Sequence, residues 1–360
     1  MTPPTPTARE RVTSVALFFA TFTSVFLVYG YQWTSGDPLR DPAIAWESLR
    51  FAAALMGILL AHEMGHYLVA RRHGFELSLP YFLPLPTAFG TFGAIIRLKS
   101  LPSSRSALLE MGAAGPLAGF AVALAALALG LPATVEHLQP EVVWAPPPEL
   151  VVAAEPGVIL RALDQILQLP PFTWLLSVPP VGTLPMLILA NPLALDLLGH
   201  LVLGAAPGKF AVLGPVATAG WVGCLLTGIN LVPIGQLDGG HILSALAPRL
   251  APRVSRIGVG VALLAGLAWS GWAVWGVMLL VLRAWVSLPV PVHPAPTKRA
   301  YLVAVCAGIA FVLSFMPRPL VVEEVAWNQI HWVDASGATV PTPPLPPGDP
   351  DASRVQQGAP

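Results

Sequence analysis

The chain has 360 residues, of which 55% are hydrophobic and 11% are charged. This apolar excess is larger than the core of a soluble protein of this length would hold, so the composition indicates an integral membrane protein. The formal net charge is zero, from 19 basic and 19 acidic residues, and we expect no nucleic-acid partner. The cysteines Cys224 and Cys306 lie far apart in apolar segments and predict neither a disulfide framework nor a thiolate metal cluster.

Apolar segments recur along the chain at lengths suited to a bilayer, which a helix of about 20 residues crosses. They predict an all-α polytopic membrane protein with about six transmembrane helices. These spans are residues 12–33, 49–70, 107–131, 212–232, 257–282 and 300–316. We interpret 257–282 as one tilted helix despite Gly266 and Gly271, because either half alone is too short to cross.

The order of the segments divides the chain into regions. Residues 1–11 are a cytoplasmic N-terminus and 12–316 a membrane-embedded domain, within which 132–211 forms an extracytoplasmic connection. Residues 317–360 are rich in proline and predict a disordered tail. Within that tail, 323–332 could form a short strand or amphipathic piece, with solvated chain as the alternative.

The distribution of basic residues predicts the orientation. Residues 71–106 are rich in arginine and lysine, whereas 132–211 is rich in acids, so the first stretch should be cytoplasmic and the second should lie on the far side. Lys298 and Arg299 conflict with this scheme, since a single crossing by 257–282 would place them outside.

The second predicted span contains the string HEMGH, with His62 and His66 one helical turn apart on one face. A charged group at the centre of such a helix costs about 2.5 to 3.5 kcal/mol, a penalty that is tolerated when the group binds something. Two neutral imidazoles at this spacing can hold one zinc ion. Glu63 is rotated by about 100° from His62, so it can act as a general base without ligating the metal. The alternative is a chance string of hydrogen-bonded core histidines.

A catalytic zinc site needs a third protein ligand, and the sequence TGINLVPIGQLDGGHI at 227–242 supplies candidates. Asp238 lies where proline and glycine interrupt the helix, so its carboxylate can turn toward the metal. His241 is a rival candidate for the third ligand. Alternatively, Asp238 is only a turn residue in an Asp-Gly loop.

Together, these residues resemble the site-2 protease family of intramembrane zinc metalloproteases. The resemblance is carried by HEMGH (62–66), AAGPLAGF (113–120) and NLVPIGQLDGGH (230–241), together with PYFLPLPTAFGTFGAIIRLKS (80–100). It implies one Zn²⁺ held by His62, His66 and Asp238, with Glu63 as base and Asn230 holding the substrate backbone or oxyanion. The connection 132–211 contains no recognisable PDZ module, in which respect it departs from larger bacterial members.

A short membrane-associated β-hairpin or strand is expected after the second helix, from GTFGAIIRLKS at 90–100. Its β-branched residues and partial alternation suit a strand to which an extended substrate could add. Gly90, Thr91, Phe92 and Gly93 are the candidate substrate-strand residues, and an ordinary cytoplasmic hairpin loop is the alternative.

The predicted function is therefore an intramembrane zinc endopeptidase acting on single-span membrane proteins within the lipid bilayer. We expect a multi-pass protein of a bacterial inner membrane, with the active site toward the cytoplasm. A membrane metal-ion transporter is an alternative, although it would need polar ligands along several spans. A non-cleaving helix-binding scaffold is a second alternative, and it would be expected to lack Glu63 or a ligand. The sequence does not indicate which oligomeric state the protein adopts.

Overall fold

The computed structural model describes residues 7–34, 36–85, 87–100, 102–134, 141–143, 183–286, 290, 294–326, 330–333 and 339. The chain divides into two compact units. The first comprises 1–135, 191–207 and 212–319, and the second comprises 136–190, 208–211 and 320–360.

The first unit is mostly helical, with one strand pair between its second and third helices. Its helices are α1 (Ala8–Val28), α2 (Pro42–Arg72), α3 (Arg105–Gly130), α4 (Leu193–Val202), α5 (Pro215–Asn230), α6 (Asp238–Leu246), α7 (Ala251–Ala265), α8 (Ser270–Val281) and α9 (Lys298–Ser314). Its strands are β1 (Tyr81–Pro84) and β2 (Thr91–Ile95). Side chains of Thr7, Asp41, Ser104 and Thr297 accept backbone hydrogen bonds at the starts of α1, α2, α3 and α9, as helix N-caps do.

Among the described residues, three helical segments are long and apolar enough to cross a membrane, and these are Ala8–Trp33, Pro42–Arg72 and Arg105–Ala133. They correspond to the first three predicted spans. The fourth and sixth predicted spans form helices of 16 and 17 residues, α5 and α9. The structure therefore confirms a mostly helical membrane protein, but it does not confirm six spans.

The prediction of one tilted helix over 257–282 is wrong. The chain leaves the helical path after Ala265 and resumes it at Ser270, so this stretch spans parts of α7 and α8. The two helices pack on each other, since a Cβ placed at Gly276 would lie 2.9 Å from the Leu263 side chain. Gly276 and Gly266 permit this close approach, and glycine is also a weak helix former. The glycines thus mark a helical hairpin.

This hairpin resolves the conflict over Lys298 and Arg299. The backbone N–H of Thr297 donates to Ser106 Oγ at 2.9 Å, and Arg299 Nε lies 3.7 Å from a Glu110 carboxylate oxygen. The start of α9 therefore lies beside the start of α3. The end of α2 is at the same place, because His73 Nε2 lies 3.1 Å from the other Glu110 oxygen. Because α7 and α8 turn back, Lys298 and Arg299 share one end of the bundle with the other basic residues.

Strands β1 and β2 form the antiparallel pair that the sequence predicted, with Phe82 opposite Ala94. Its tip packs closely on α1, since a Cβ placed at Gly90 would lie 2.6 Å from Val25 Cα. Trp33, in the π-helical turn that ends the first span, donates its indole N–H to Ala88 O at 2.7 Å. At the base of the hairpin, Lys99 Nζ lies 2.7 Å from Glu10 Oε1. The first span therefore holds the hairpin at both ends.

The second unit contains strands β3 (Glu141–Val143), β4 (Thr183–Leu189), β5 (Leu320–Ala326) and β6 (His331–Val333). β4 pairs with β5 antiparallel, and β3 pairs with β6 in parallel. The segment predicted as a disordered tail thus contributes β5 and β6, as the strand alternative for 323–332 allowed. Residues 144–182 and 341–360 lie outside the described residues, so the disordered end of the tail and the lack of a PDZ module stay predictions.

Candidate active site

The two histidines of HEMGH lie on one face of α2, as the helical spacing requires. Their Nε2 atoms are 3.1 Å apart, and each side chain is about nine-tenths buried. Two neutral imidazoles can form only one hydrogen bond between these two nitrogens. The pair is therefore arranged to share a third group.

Asp238 supplies that group from the first residue of α6. Its Oδ2 lies 3.3 Å from His62 Nε2 and its Oδ1 lies 3.2 Å from His66 Nε2. The helix α5 ends at Asn230, and the following segment contains Pro233 and Gly235, which has a positive φ of 44°. After this turn, Asp238 lies against the two histidines of α2. The candidate third ligand therefore lies within 3.3 Å of both imidazoles.

A main-chain group of α3 orients the His66 ring. His66 Nδ1 lies 2.8 Å from the main-chain carbonyl oxygen of Met111, which can only accept, so Nδ1 donates its proton there and the Nε2 lone pair is left for a metal ion. A carbonyl partner of this kind commonly fixes the ring of a metal-ligating histidine. Sequence reasoning missed this contact, and no signal could have revealed it because the acceptor belongs to the main chain.

Glycines of the AAGPLAGF motif make room for the two rings. A Cβ placed at Gly115 would overlap the His66 imidazole, and one at Gly119 would lie 3.0 Å from His62 Cβ. Helix α3 therefore packs directly on His62 and His66.

Glu63 lies beside the cluster, in a cavity of about 580 Å³. Asn230, Gln236 and His241 line the same cavity, as does the backbone stretch from Ala94 to Leu98 that includes the end of β2. The site residues predicted for base and oxyanion roles therefore share one open space with the ligand cluster. Glu63 itself is buried, at 7% exposure.

A second cavity of about 110 Å³ shares His62, Glu63 and Asn230 with the first. Phe92 and Gly93 line it together with Glu63, Thr227 and Asn230. Two of the candidate substrate-strand residues thus lie at the site. Gly90 and Thr91 do not line either cavity. They shape the hairpin tip, where the Thr91 hydroxyl donates to Leu83 O at 3.2 Å.

His241, the rival ligand, lines the larger cavity but lies outside the cluster of donor atoms. The atoms of His62, His66 and Asp238 all lie within 4.8 Å of one another. The Nδ1 atom of His241 is buried and has no hydrogen-bond partner among the described residues. The geometry therefore favours Asp238 as the third ligand.

The donor set suits zinc. Two imidazole nitrogens and one carboxylate make up the protein ligands of a catalytic zinc site, which leaves a fourth position open. The deep burial of the cluster supports this interpretation, because a carboxylate and two imidazoles would otherwise be costly to withdraw from water. His62, His66 and Asp238 are thus the residues that would hold the ion.

Residues 50–270, more than half of the chain, match Peptidase family M50. The chain therefore belongs to this family of peptidases, the site-2 protease family that the motifs indicated.

Two plant proteins are among the relatives of this chain. Probable zinc metalloprotease EGY1, chloroplastic, of Arabidopsis thaliana is 29% identical over 277 residues, which cover 75% of this chain and 43% of that protein. Probable zinc metalloprotease EGY2, chloroplastic, of the same plant is 33% identical over 208 residues, covering 58% of this chain and 30% of that protein. The chain spans less than half the length of both relatives. No solved structure matches the chain.

These findings confirm the predicted family, and the names of the relatives support zinc as the cofactor. The apolar helices confirm an integral membrane protein. The relatives are chloroplastic, so they give no support to the expected bacterial inner membrane.

Proposed function

We propose that this chain is a zinc endopeptidase that hydrolyses peptide bonds in or near the transmembrane segments of other membrane proteins. The observation that carries the proposal is the meeting of His62, His66 and Asp238 beside Glu63, in a cavity that adjoins a candidate membrane span. The mixed nitrogen and oxygen donor set is typical of a hydrolytic zinc centre rather than of a structural one.

When bound, zinc supplies a Lewis acid that lowers the pKa of a coordinated water to about 7 and polarises a carbonyl oxygen. Glu63 is placed to accept the proton of the attacking water. It is then placed to deliver that proton to the leaving amine, as general acid–base catalysis requires. The burial of Glu63 at 7% exposure keeps bulk water from competing for this proton.

Asn230 is the group proposed to bind the substrate beside the reacting bond. It lines both cavities and ends α5, only a short turn before Asp238. Its side-chain amide can donate to a substrate carbonyl or to the developing oxyanion and can accept from a substrate N–H.

The hairpin is proposed to hold the substrate in an extended conformation. A transmembrane helix engages its carbonyls in its own hydrogen bonds, so it must unwind locally before a peptide bond can be attacked. β2 belongs to a two-stranded sheet, and Phe92, Gly93 and Ala94 lie along the small cavity beside Glu63. A substrate segment added to this strand would present its peptide bonds to the site.

We propose that the active site faces the cytoplasmic side of the membrane. The end of the bundle that carries Arg71, Arg72, Lys298 and Arg299 is rich in basic residues, which face the cytoplasm in multi-pass proteins. Arg97 and Gln236 line the large cavity beside the ligand cluster, and their polar groups would suit the entry of water from that side. Single-span membrane proteins are the proposed substrates, and release of a regulatory domain is the proposed outcome.

The test compares the wild type with Glu63→Gln in detergent, against a panel of single-span substrates, while bound zinc is measured on the same samples. Glu63→Gln should keep its zinc and lose about 10²- to 10⁴-fold in cleavage rate, the usual contribution of a general base. Glu47→Gln is the matched control, because Glu47 is exposed on the same helix, and it should cleave normally. Equal cleavage by wild type and Glu63→Gln would refute the mechanism. Zinc uptake by liposomes that contain the wild type, without substrate cleavage, would favour a transporter.

A further inference from the structure

Arg105, the first residue of α3, reaches the end of the helix that begins with Asp238. Its Nε donates to Ala245 O at 2.5 Å and its Nη2 donates to Leu246 O at 2.6 Å. The side chain is buried, with 9% of the residue exposed. An arginine in this environment must have its donors satisfied, and the planar fork of the guanidinium suits two adjacent carbonyls.

The helix α6 depends on such a contact more than a long helix would. It has nine residues, no side-chain hydrogen bond at its N-cap residue Leu237, and glycine at 239 and 240. Helices this short are marginal on their own, and glycine is a weaker helix former than alanine. The last carbonyls of a helix lack intrahelical partners, and a positive charge there is favourable to the helix dipole. Arg105 provides both the donors and the charge.

The other end of α6 rests on α3 as well. A Cβ placed at Gly112 would lie 3.0 Å from His241 Cβ and 3.3 Å from the backbone oxygen of Asp238. Seven residues separate Arg105 from Gly112, a rise of about 10 Å, and α6 is about 13 Å long. The two helices therefore touch at both ends of α6, with the first turn of α6 at Gly112 and the last turn at Arg105.

The same stretch of α3 also holds a ligand histidine, because Met111 O lies 2.8 Å from His66 Nδ1. One segment of α3 thus contacts both parts of the site. Met111 holds His66, and Gly112 and Arg105 hold α6. A shift of α6 along α3 would move the Asp238 carboxylate away from the two imidazoles, since Asp238 is part of the helix itself.

We propose that Arg105 is a positioning residue for the metal site: by holding the last turn of α6, it fixes Asp238 against His62 and His66 and so sets the affinity for zinc. This proposal rests on the zinc site of the proposed function. It assigns Arg105 no contact with substrate or with the ion.

The test measures zinc affinity by competition with a chromogenic chelator, using the full chain purified in detergent. Arg105→Met keeps most of the side-chain length but offers no donor, and it should bind zinc about 10- to 100-fold more weakly, the usual effect of losing an outer partner of a ligand. Arg105→Lys keeps the charge but not the fork, and its affinity should lie between those of Arg105→Met and the wild type. Arg253→Met is the matched control, since Arg253 is exposed on α7, and its affinity should equal that of the wild type.

A second measurement separates positioning from folding. Cleavage by Arg105→Met should recover toward the wild-type rate as free zinc is raised, whereas a misfolded protein would not recover. Unchanged zinc affinity in folded Arg105→Met would overturn the proposal. If Arg105→Met does not accumulate as folded protein, Arg105→Lys takes its place in the test. A zinc affinity of Arg105→Lys equal to that of the wild type would then overturn the proposal. A wild type that binds no zinc would instead refute the proposed function.

Discussion

The Nδ1 atom of His66 and the carbonyl oxygen of Met111 lie 2.8 Å apart, so a main-chain group of α3 fixes the ring of a side chain on α2. The ring's other nitrogen is thereby turned toward Asp238, 3.2 Å away. The candidate ligands of a metal ion thus come from α2 and α6, whereas α3, which supplies none of these three residues, contacts and aligns them. Changes in α3 should accordingly alter metal binding without removing a ligand.

The first prediction concerns Gly115→Ala, which places a methyl group where the His66 imidazole lies. The ring must move, and zinc affinity should fall about 10- to 100-fold, as it does when an outer contact of a ligand is lost. Equilibrium dialysis against buffered zinc measures the change. Gly57→Ala is the control, because a Cβ there meets nothing within 4 Å, and alanine is the better helix former. Equal affinities for the two variants would show that the close approach at Gly115 is unimportant.

The second prediction separates the two candidate third ligands. Asp238→Ala removes a carboxylate that lies within 3.3 Å of both imidazoles, so the purified protein should lose its zinc. His241→Ala leaves the three-residue cluster intact and should retain one zinc ion per chain. Metal content is measured by elemental analysis after dialysis. If Asp238→Ala kept its zinc and His241→Ala lost it, His241 would replace Asp238 as the ligand.

The sequence predicted most of this cluster because helical periodicity and motif spacing act over short distances. His62, Glu63 and His66 follow from one turn of helix, and Asp238 follows from the interrupted helix around Pro233. The contributions of Met111 and Arg105 were not predictable, since their partners are main-chain carbonyls brought close only by tertiary packing. Gly115 and Gly119 lie between these cases: their small size was evident, but the rings that need the space were not.

The helical hairpin of α7 and α8 shows a different limit. Hydropathy alone describes 257–282 as one apolar stretch, and bilayer thickness then favours a single crossing. Gly266 and Gly276 instead permit two short helices to pack on each other. The basic residues Lys298 and Arg299 had pointed to this error, because their placement conflicts with a single crossing. Charge distribution was thus the better guide to the path of the chain.

The third prediction concerns Asn230→Ala, which should lower the cleavage rate about 10²- to 10³-fold, as the loss of one oxyanion donor does. Asn230 lines both cavities and is not one of the three proposed zinc ligands, so zinc content should not change. The experiment records cleavage of a single-span substrate and bound zinc on the same sample. Thr218→Ala on α5 is the control, since its hydroxyl donates to Leu213 O and Gly214 O and it does not line either cavity. Loss of zinc from Asn230→Ala would assign Asn230 to the metal site instead.

The fourth prediction tests how the hairpin is held. Gly90 and Gly74 have φ angles of 75° and 76°, so alanine at either position meets the same strain of about 1 to 2 kcal/mol. A Cβ at Gly90 would also lie 2.6 Å from Val25 Cα on α1, whereas a Cβ at Gly74 meets nothing within 4 Å. Gly90→Ala should therefore release the hairpin tip from α1, speed tryptic cleavage at Arg97 and Lys99, and slow substrate cleavage. Gly74→Ala should show only the loss of thermal stability that the backbone strain causes. Similar trypsin sensitivity in both variants would mean that contact with the first span does not hold the hairpin in place.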